Sequence, residues 1–243
     1  MAVPWCPRVA ARPLLTVLTV VTLLTVTGCG GGGLPQPTQT SRPASTPSVP
    51  GTQVRDSVEG DIDAAVSITT TYWSTHWNEF FTGAYRPPRV LGAYDGATGG
   101  APTCGGSPLP DDNAVYCPGG DYVAWDMDLM RAGHQRGDAW VYLVIAHEWG
   151  HAVQNRLDAG LVDLARELQA DCLAGAVLFG AARDNTLTFE DGDTDELSDA
   201  LSALADETPW TDTSDHGNAS QRVSAFNRGA ESGVKGCLPN AVR

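Results

Sequence analysis

Residues 147–151 read His147-Glu148-Trp149-Gly150-His151. On a helix, positions i and i+4 share a face about 6 Å apart along the axis. Two imidazoles so placed can reach a single metal ion. Glu148 is one residue on from His147, so it points beside that ion rather than at it, the position of a general base acting on metal-activated water. The chain has only five histidines, so the pattern rarely arises by chance. The competing reading is an amphipathic helix carrying two satisfied histidines.

Metal-assisted hydrolysis by zinc needs a third protein ligand and an open fourth position. Downstream lies Glu167-Leu168-Gln169-Ala170-Asp171, with Glu167 and Asp171 on one helical face at i, i+4. Two antiparallel helices joined near Gly160 set that face against His147 and His151. Glu167 then completes a His₂Glu set for one zinc per chain. Asp171 accepts the free ring N–H of one histidine and fixes its tautomer. Asp163 and Asp171 are the rival third ligands. Gly150, in mid-helix, implies close approach by another backbone.

Periodicity supplies the elements that must hold these groups. Asp61 to Phe81 reads as a helix, with Ile62, Val66, Thr69, Trp73, Trp77 and Phe80 on one stripe. Trp73 and Trp77 fit a core stripe better than a ligand-stacking pair, and His76 between them is structural. Tyr85 to Asp121 is rich in Gly and Pro and predicts loops with short strands. Tyr122 to Asp126 has the composition of a strand. Asp138 is placed to cap a buried helix from Ala139 to about Ala159, ended by Gly160. A second helix runs from Leu161 to about Arg183 with Leu161, Leu164 and Leu168 on one stripe. Helices over Asp193–Leu204 and Asn218–Glu231 follow, the last with Val223 and Phe226 facing in. The fold class is mainly α with a small β element (α+β). The acids from Asp191 to Asp195 do not make a calcium loop, because its sixth position holds Glu196 and its twelfth Ser202. They suit a helix start.

The 243-residue chain has 29 acids against 15 Lys plus Arg, for a net charge of −14. That excludes the electrostatic footprint of a nucleic-acid binder. Arg8 and Arg12 precede an uncharged run, Leu14 to Thr27, too short for a membrane span of about 20 residues and ordered as a secretory signal. It ends Gly28-Cys29 and is similar to a bacterial lipobox, which implies cleavage before Cys29 and acylation of its thiol. Leu34 to Gly51 is mostly Pro, Ser, Thr and Gln, a spacer able to reach up to roughly 55 Å. Residues 1–28 are thus read as signal peptide, 29–53 as lipidated cysteine and flexible linker, and 54–243 as the functional domain. The expected place is the outer face of the bacterial plasma membrane, lipid-anchored. Besides Cys6 and Cys29 there are four cysteines with no C-x-x-C. Export makes disulfides plausible for them, and three pairings are possible. The short Gly/Pro-rich loop favours Cys104–Cys117, leaving Cys172–Cys237.

The stretches IAHEWGHAVQNRL (145–157), RELQADCLAGAV (166–177) and SDHGNASQRVSAFNRGAESG (214–233) together resemble the bacterial family of putative neutral zinc metallopeptidases, over roughly residues 60–237. The resemblance implies a zincin-like domain with a buried HExxH helix, of the glutamate-zincin kind. It implies Glu167 as third ligand and Asp171 as its supporting partner. The third stretch is similar to an element in which a histidine steadies the oxyanion and an arginine six residues on braces the site, implying those roles for His216 and Arg222. The region 86–110 matches least well and carries no specificity over.

The expectation is therefore an exported, membrane-anchored zinc metallopeptidase acting on a peptide or protein substrate. The alternative is a non-catalytic zinc-binding lipoprotein that serves as a scaffold or binds a partner. An intact Glu148 speaks against it, because a structural site needs no base.

Overall fold

The computed structural model describes residues 57–207 and 215–239. The expected signal peptide, Cys29 and linker lie outside these residues. The first helix, α1 (Val58–Phe80), starts where the Ser57 side chain accepts the Gly60 N–H at 3.2 Å. Its Ile62, Thr69, Trp73 and Trp77 are buried, as the stripe predicts, while Val66 and Phe80 are only half-buried. His76 lies beside Glu79 and Asp184, each at 2.8 Å.

Five strands follow: β1 (Arg89–Tyr94), β2 (Thr103–Cys104), β3 (Ser107–Pro108), β4 (Ala114–Cys117) and β5 (Tyr122–Asp126). The main sheet has the order β1-β5-β4, with β1 parallel and β4 antiparallel to the central β5. Alternation along β5 divides its side chains. Val123 and Trp125 enter the main core, and Tyr122 and Ala124 a smaller cluster with Tyr94 and Leu109. Strand β4 is an edge of this sheet and lies along α3. A disulfide joins Cys104 to Cys117 at its end.

A helix absent from the sequence reading, α2 (Met127–His134), begins directly after β5. Asp126 makes this possible: one carboxylate oxygen accepts the Asp128 N–H and the other the Gly96 N–H, both at 2.8 Å. With no loop residues between strand and helix, the sequence has no punctuation there. His134, at the end of α2, meets Asp61 at 2.9 Å.

The metal-motif helix, α3 (Ala139–Gln154), is nearly wholly buried. It stops five residues short of the predicted end, and Asp138 makes no side-chain cap; Glu196 Oε2 accepts the Ala139 N–H at 3.3 Å instead. The connection to α4 (Arg166–Arg183) is a run of turns and bends containing a 3-10 turn at Ala159–Leu161. The second helix thus starts five residues later than predicted. Leu164 leaves the apolar stripe and is 75% exposed.

Helices α5 (Asp193–Ala203) and α6 (Ala219–Ser232) complete the bundle. Asn218 and Gln221 form a reciprocal capping box at the start of α6. Phe226 is buried and Val223 partly so. Helix α4 packs on α3 on one side and α6 on the other. The second disulfide, Cys172–Cys237, ties the chain after α6 to α4. Among the described residues no helix is long and apolar enough to cross a membrane.

Candidate metal centre

Backbone proximity brings the two halves of the site together. A Cβ on Gly150 would stand 2.9 Å from the Cα and carbonyl oxygen of Ala170, so the absence of a side chain there lets α3 and α4 approach. The faces that meet carry His147 and His151 on one helix and Glu167 and Asp171 on the other.

The donor atoms converge. His147 Nε2 and His151 Nε2 are 3.1 Å apart, and each is 3.2 Å from Glu167 Oε2. Zinc ligands at about 2.0–2.1 Å in a tetrahedral arrangement stand roughly 3.3 Å from one another. Two imidazoles and a carboxylate at these separations therefore fit a zinc ion by type and spacing.

Supporting contacts fix both rings. Asp171 Oδ1 accepts from His147 Nδ1 at 2.8 Å, and Gln154 Oε1 from His151 Nδ1 at 3.0 Å. Each proton held at Nδ1 leaves the Nε2 lone pair for metal. Asp171 is fully buried and takes two bonds from Arg222, from Nε and Nη2, both at 2.8 Å. The third Arg222 nitrogen, Nη1, donates to the Leu204 carbonyl at 2.6 Å. A charged pair removed from water needs this full set of partners.

The electrostatics follow from that crowding. Burial lowers the His147 pKa, but the Asp171 and Glu167 carboxylates outweigh it and hold the ring up at about 10. Burial raises the Glu167 carboxyl, and the bonds to both histidines overcome it and drive it well below the usual carboxylate range. Asp171 is likewise pushed up by burial and pulled lower by Arg222. A cation held between the Nε2 atoms would take the place of a proton on the imidazoles.

Glu148 lies beside the donors. Its Oε2 accepts the backbone N–H of Tyr116, on the edge strand β4, at 2.6 Å. Tyr116 is itself anchored: its hydroxyl donates to Asp121 Oδ1 at 2.9 Å and accepts from Asn155 Nδ2 at 2.8 Å. Arg156 in turn grips Asp121 through both carboxylate oxygens.

His216 approaches from the loop before α6. Its Nε2 is 3.9 Å from Glu167 Oε2, and its backbone N–H is held by Asp206 Oδ2 at 2.7 Å. Asp163 is not among the converging donors; its Oδ1 accepts the Ala165 N–H. His147, Glu148, His151, Glu167, His216 and Arg222 line one cavity of about 730 Å³, together with Tyr116 and Asn155.

Three contributors escaped the sequence reading. Gln154, three residues after His151, carried a usable signal as a helical neighbour of a ligand. Tyr116 acts through its backbone N–H, which no side-chain motif encodes. Asn155 acts only through Tyr116.

A histidine pair one turn apart, a glutamate from the neighbouring helix and a second carboxylate held alongside make a set that could hold a metal ion, of the His₂Glu type that suits zinc. Residues 158–238 match the model of the family described as "Putative neutral zinc metallopeptidase". That stretch carries Glu167, Asp171, His216 and Arg222 and begins after His151. The chain is also 28% identical over 211 residues, spanning 73% of it and 71% of the relative, to "Uncharacterized protein YpfJ" of Escherichia coli strain K12. The protein of that name from Escherichia coli O6:H1 matches equally. No solved structure matches the chain.

Proposed function

We propose that the chain is a zinc-dependent peptidase of the glutamate-zincin kind, exported and held by lipid at Cys29 on the outer face of the plasma membrane. The observation that carries the catalytic part is the convergence of His147 Nε2, His151 Nε2 and Glu167 Oε2 at 3.1–3.2 Å beside a Glu148 carboxylate fixed by the Tyr116 N–H. The anchoring part rests on the signal-like start and the lipobox-like end of residues 1–29.

His147, His151 and Glu167 hold one zinc, which when bound lowers the pKa of a water and polarises a carbonyl. Glu148 does the proton work. With Oε2 engaged by Tyr116, Oε1 is left to take a proton from the attacking water. The water oxygen forms its bond to the peptide carbonyl carbon, and the C–N bond then breaks. The same Oε1 returns the proton to the departing amine nitrogen, so the carboxylate is regenerated. His216, at the rim of the ligand set, donates to the developing oxyanion. Arg222 and Asp171 keep the His147 ring oriented.

Removal and restoration of metal test this reading. Protein stripped by a chelator is expected to lose hydrolysis of a diverse peptide pool and to regain it with about one equivalent of zinc per chain. Hydrolysis that survives stripping overturns it.

A further inference from the structure

The catalytic cavity does not end at the metal ligands. At Asn155 and Arg166 it meets a second groove of about 480 Å³, which shares those two residues with it. The groove is cut into the α3–α4 connection and is walled by Leu157, Val162 and Leu164. Leu164 is the most exposed large hydrophobic side chain among the described residues, at 75%.

This wall is built. Gln154 and Gln169 are both buried. Gln154 Nε2 donates to the Arg166 carbonyl at 2.6 Å, and Gln169 Nε2 to that of Leu161 at 2.8 Å. Gln169 Oε1 accepts the Asp163 N–H at 3.0 Å. Because Gln154 also orients His151, one side chain sets both a metal ligand and the near edge of the groove.

The charge at the junction is equally specific. Two arginines line the catalytic cavity. Arg222 is committed to Asp171, whereas the exposed Arg166 guanidinium makes no hydrogen bond or ion pair among the described residues. An uncommitted cation between two connected cavities of a chain with net charge −14 is placed for an anionic group on the ligand. The groove's own acid, Asp163, has one oxygen bonded to the Ala165 N–H.

We propose that Arg166 and this groove form a substrate subsite: the groove takes an apolar side chain, and Arg166 binds a carboxylate on or next to that residue. This rests on the peptidase reading and names the substrate class, a peptide with an apolar residue bearing a free C-terminal carboxylate or followed by an acidic one.

Binding to the zinc-loaded Glu148→Gln protein tests it without turnover. The probes are fluorescent peptides that end in leucine as the free acid, end in leucine amide, or carry Leu-Asp as the amide. At least one carboxylate-bearing peptide is expected to bind about tenfold or more tighter than the neutral amide, and the tighter of the two identifies the source of the carboxylate. In that background Arg166→Gln should abolish the preference, Arg166→Lys should keep part of it, and Leu164→Ser should weaken all three peptides. Equal binding of the three, no binding of any, or a preference that survives Arg166→Gln overturns the subsite. Cleavage by the wild-type chain is read separately. Peptides cut without regard to Arg166 leave the peptidase standing and the subsite refuted; peptides bound through Arg166 but never cut do the reverse.

Discussion

His216 meets the candidate ligand Glu167 only at 3.9 Å, and its side chain is half exposed. No spacing rule links it to His151, 65 residues earlier in the sequence. Only its resemblance to a family element pointed there, and the fold places it on the cavity that holds the donors. If it donates to the developing oxyanion, His216→Ala should lower turnover by about 10²–10³ while zinc content stays the same. Unchanged turnover per folded molecule, with a lower unfolding midpoint, would make it a structural loop histidine. The other site residues differ in legibility for a physical reason. His147, Glu148, His151 and Glu167 were legible because the proposed chemistry would use side chains whose type and helical spacing show in the sequence. The Tyr116 N–H does not, because every residue but proline has one, and only the pairing of β4 decides where it points.

Helix lengths were readable to within a turn except where tertiary contacts override local pattern. The α3–α4 connection was read as helix on both sides of Gly160 because Leu161, Leu164 and Leu168 have the right period. Instead, Gln154 and Gln169 bind the backbone of residues 161–166 and hold it as a wall. Buried glutamines satisfying loop carbonyls leave no periodic trace. Gly150 was legible, since a mid-helix glycine implied the close approach seen at Ala170. The same device recurs between α4 and α6, where a Cβ on Gly229 would collide with the Cys172 carbonyl and one on Gly175 with that of Phe226. Because α6 carries Arg222 to Asp171, this packing also sets the site. Gly229→Ala should destabilise the protein by about 1–3 kcal/mol, read as a lower urea midpoint. An unchanged midpoint would mean that the helices do not pack this closely.

Over the whole molecule, burial also limits the pH range. Burial pushes the phenols of Tyr72, Tyr85, Tyr94 and Tyr142 up to about 12. A phenol whose folded pKa exceeds its ordinary value of about 10 favours the fold fully below that value. The contribution is lost as pH rises from about 10 to 12. Phenolate absorbance followed with circular dichroism should show these tyrosines titrating near pH 12 or together with unfolding. Ionisation of these four near pH 10 in an intact fold would contradict the burial. The central claim concerns what the molecule does with its buried centre, and a single comparison addresses it: zinc-loaded wild type and Glu148→Gln, matched for metal content and circular dichroism, are each incubated with a diverse peptide pool and the products read by mass spectrometry. The wild type is predicted to cut peptide bonds and Glu148→Gln to cut none above background, because an amide cannot take the proton from water. Equal cleavage by the two proteins, or none by either, would contradict the account.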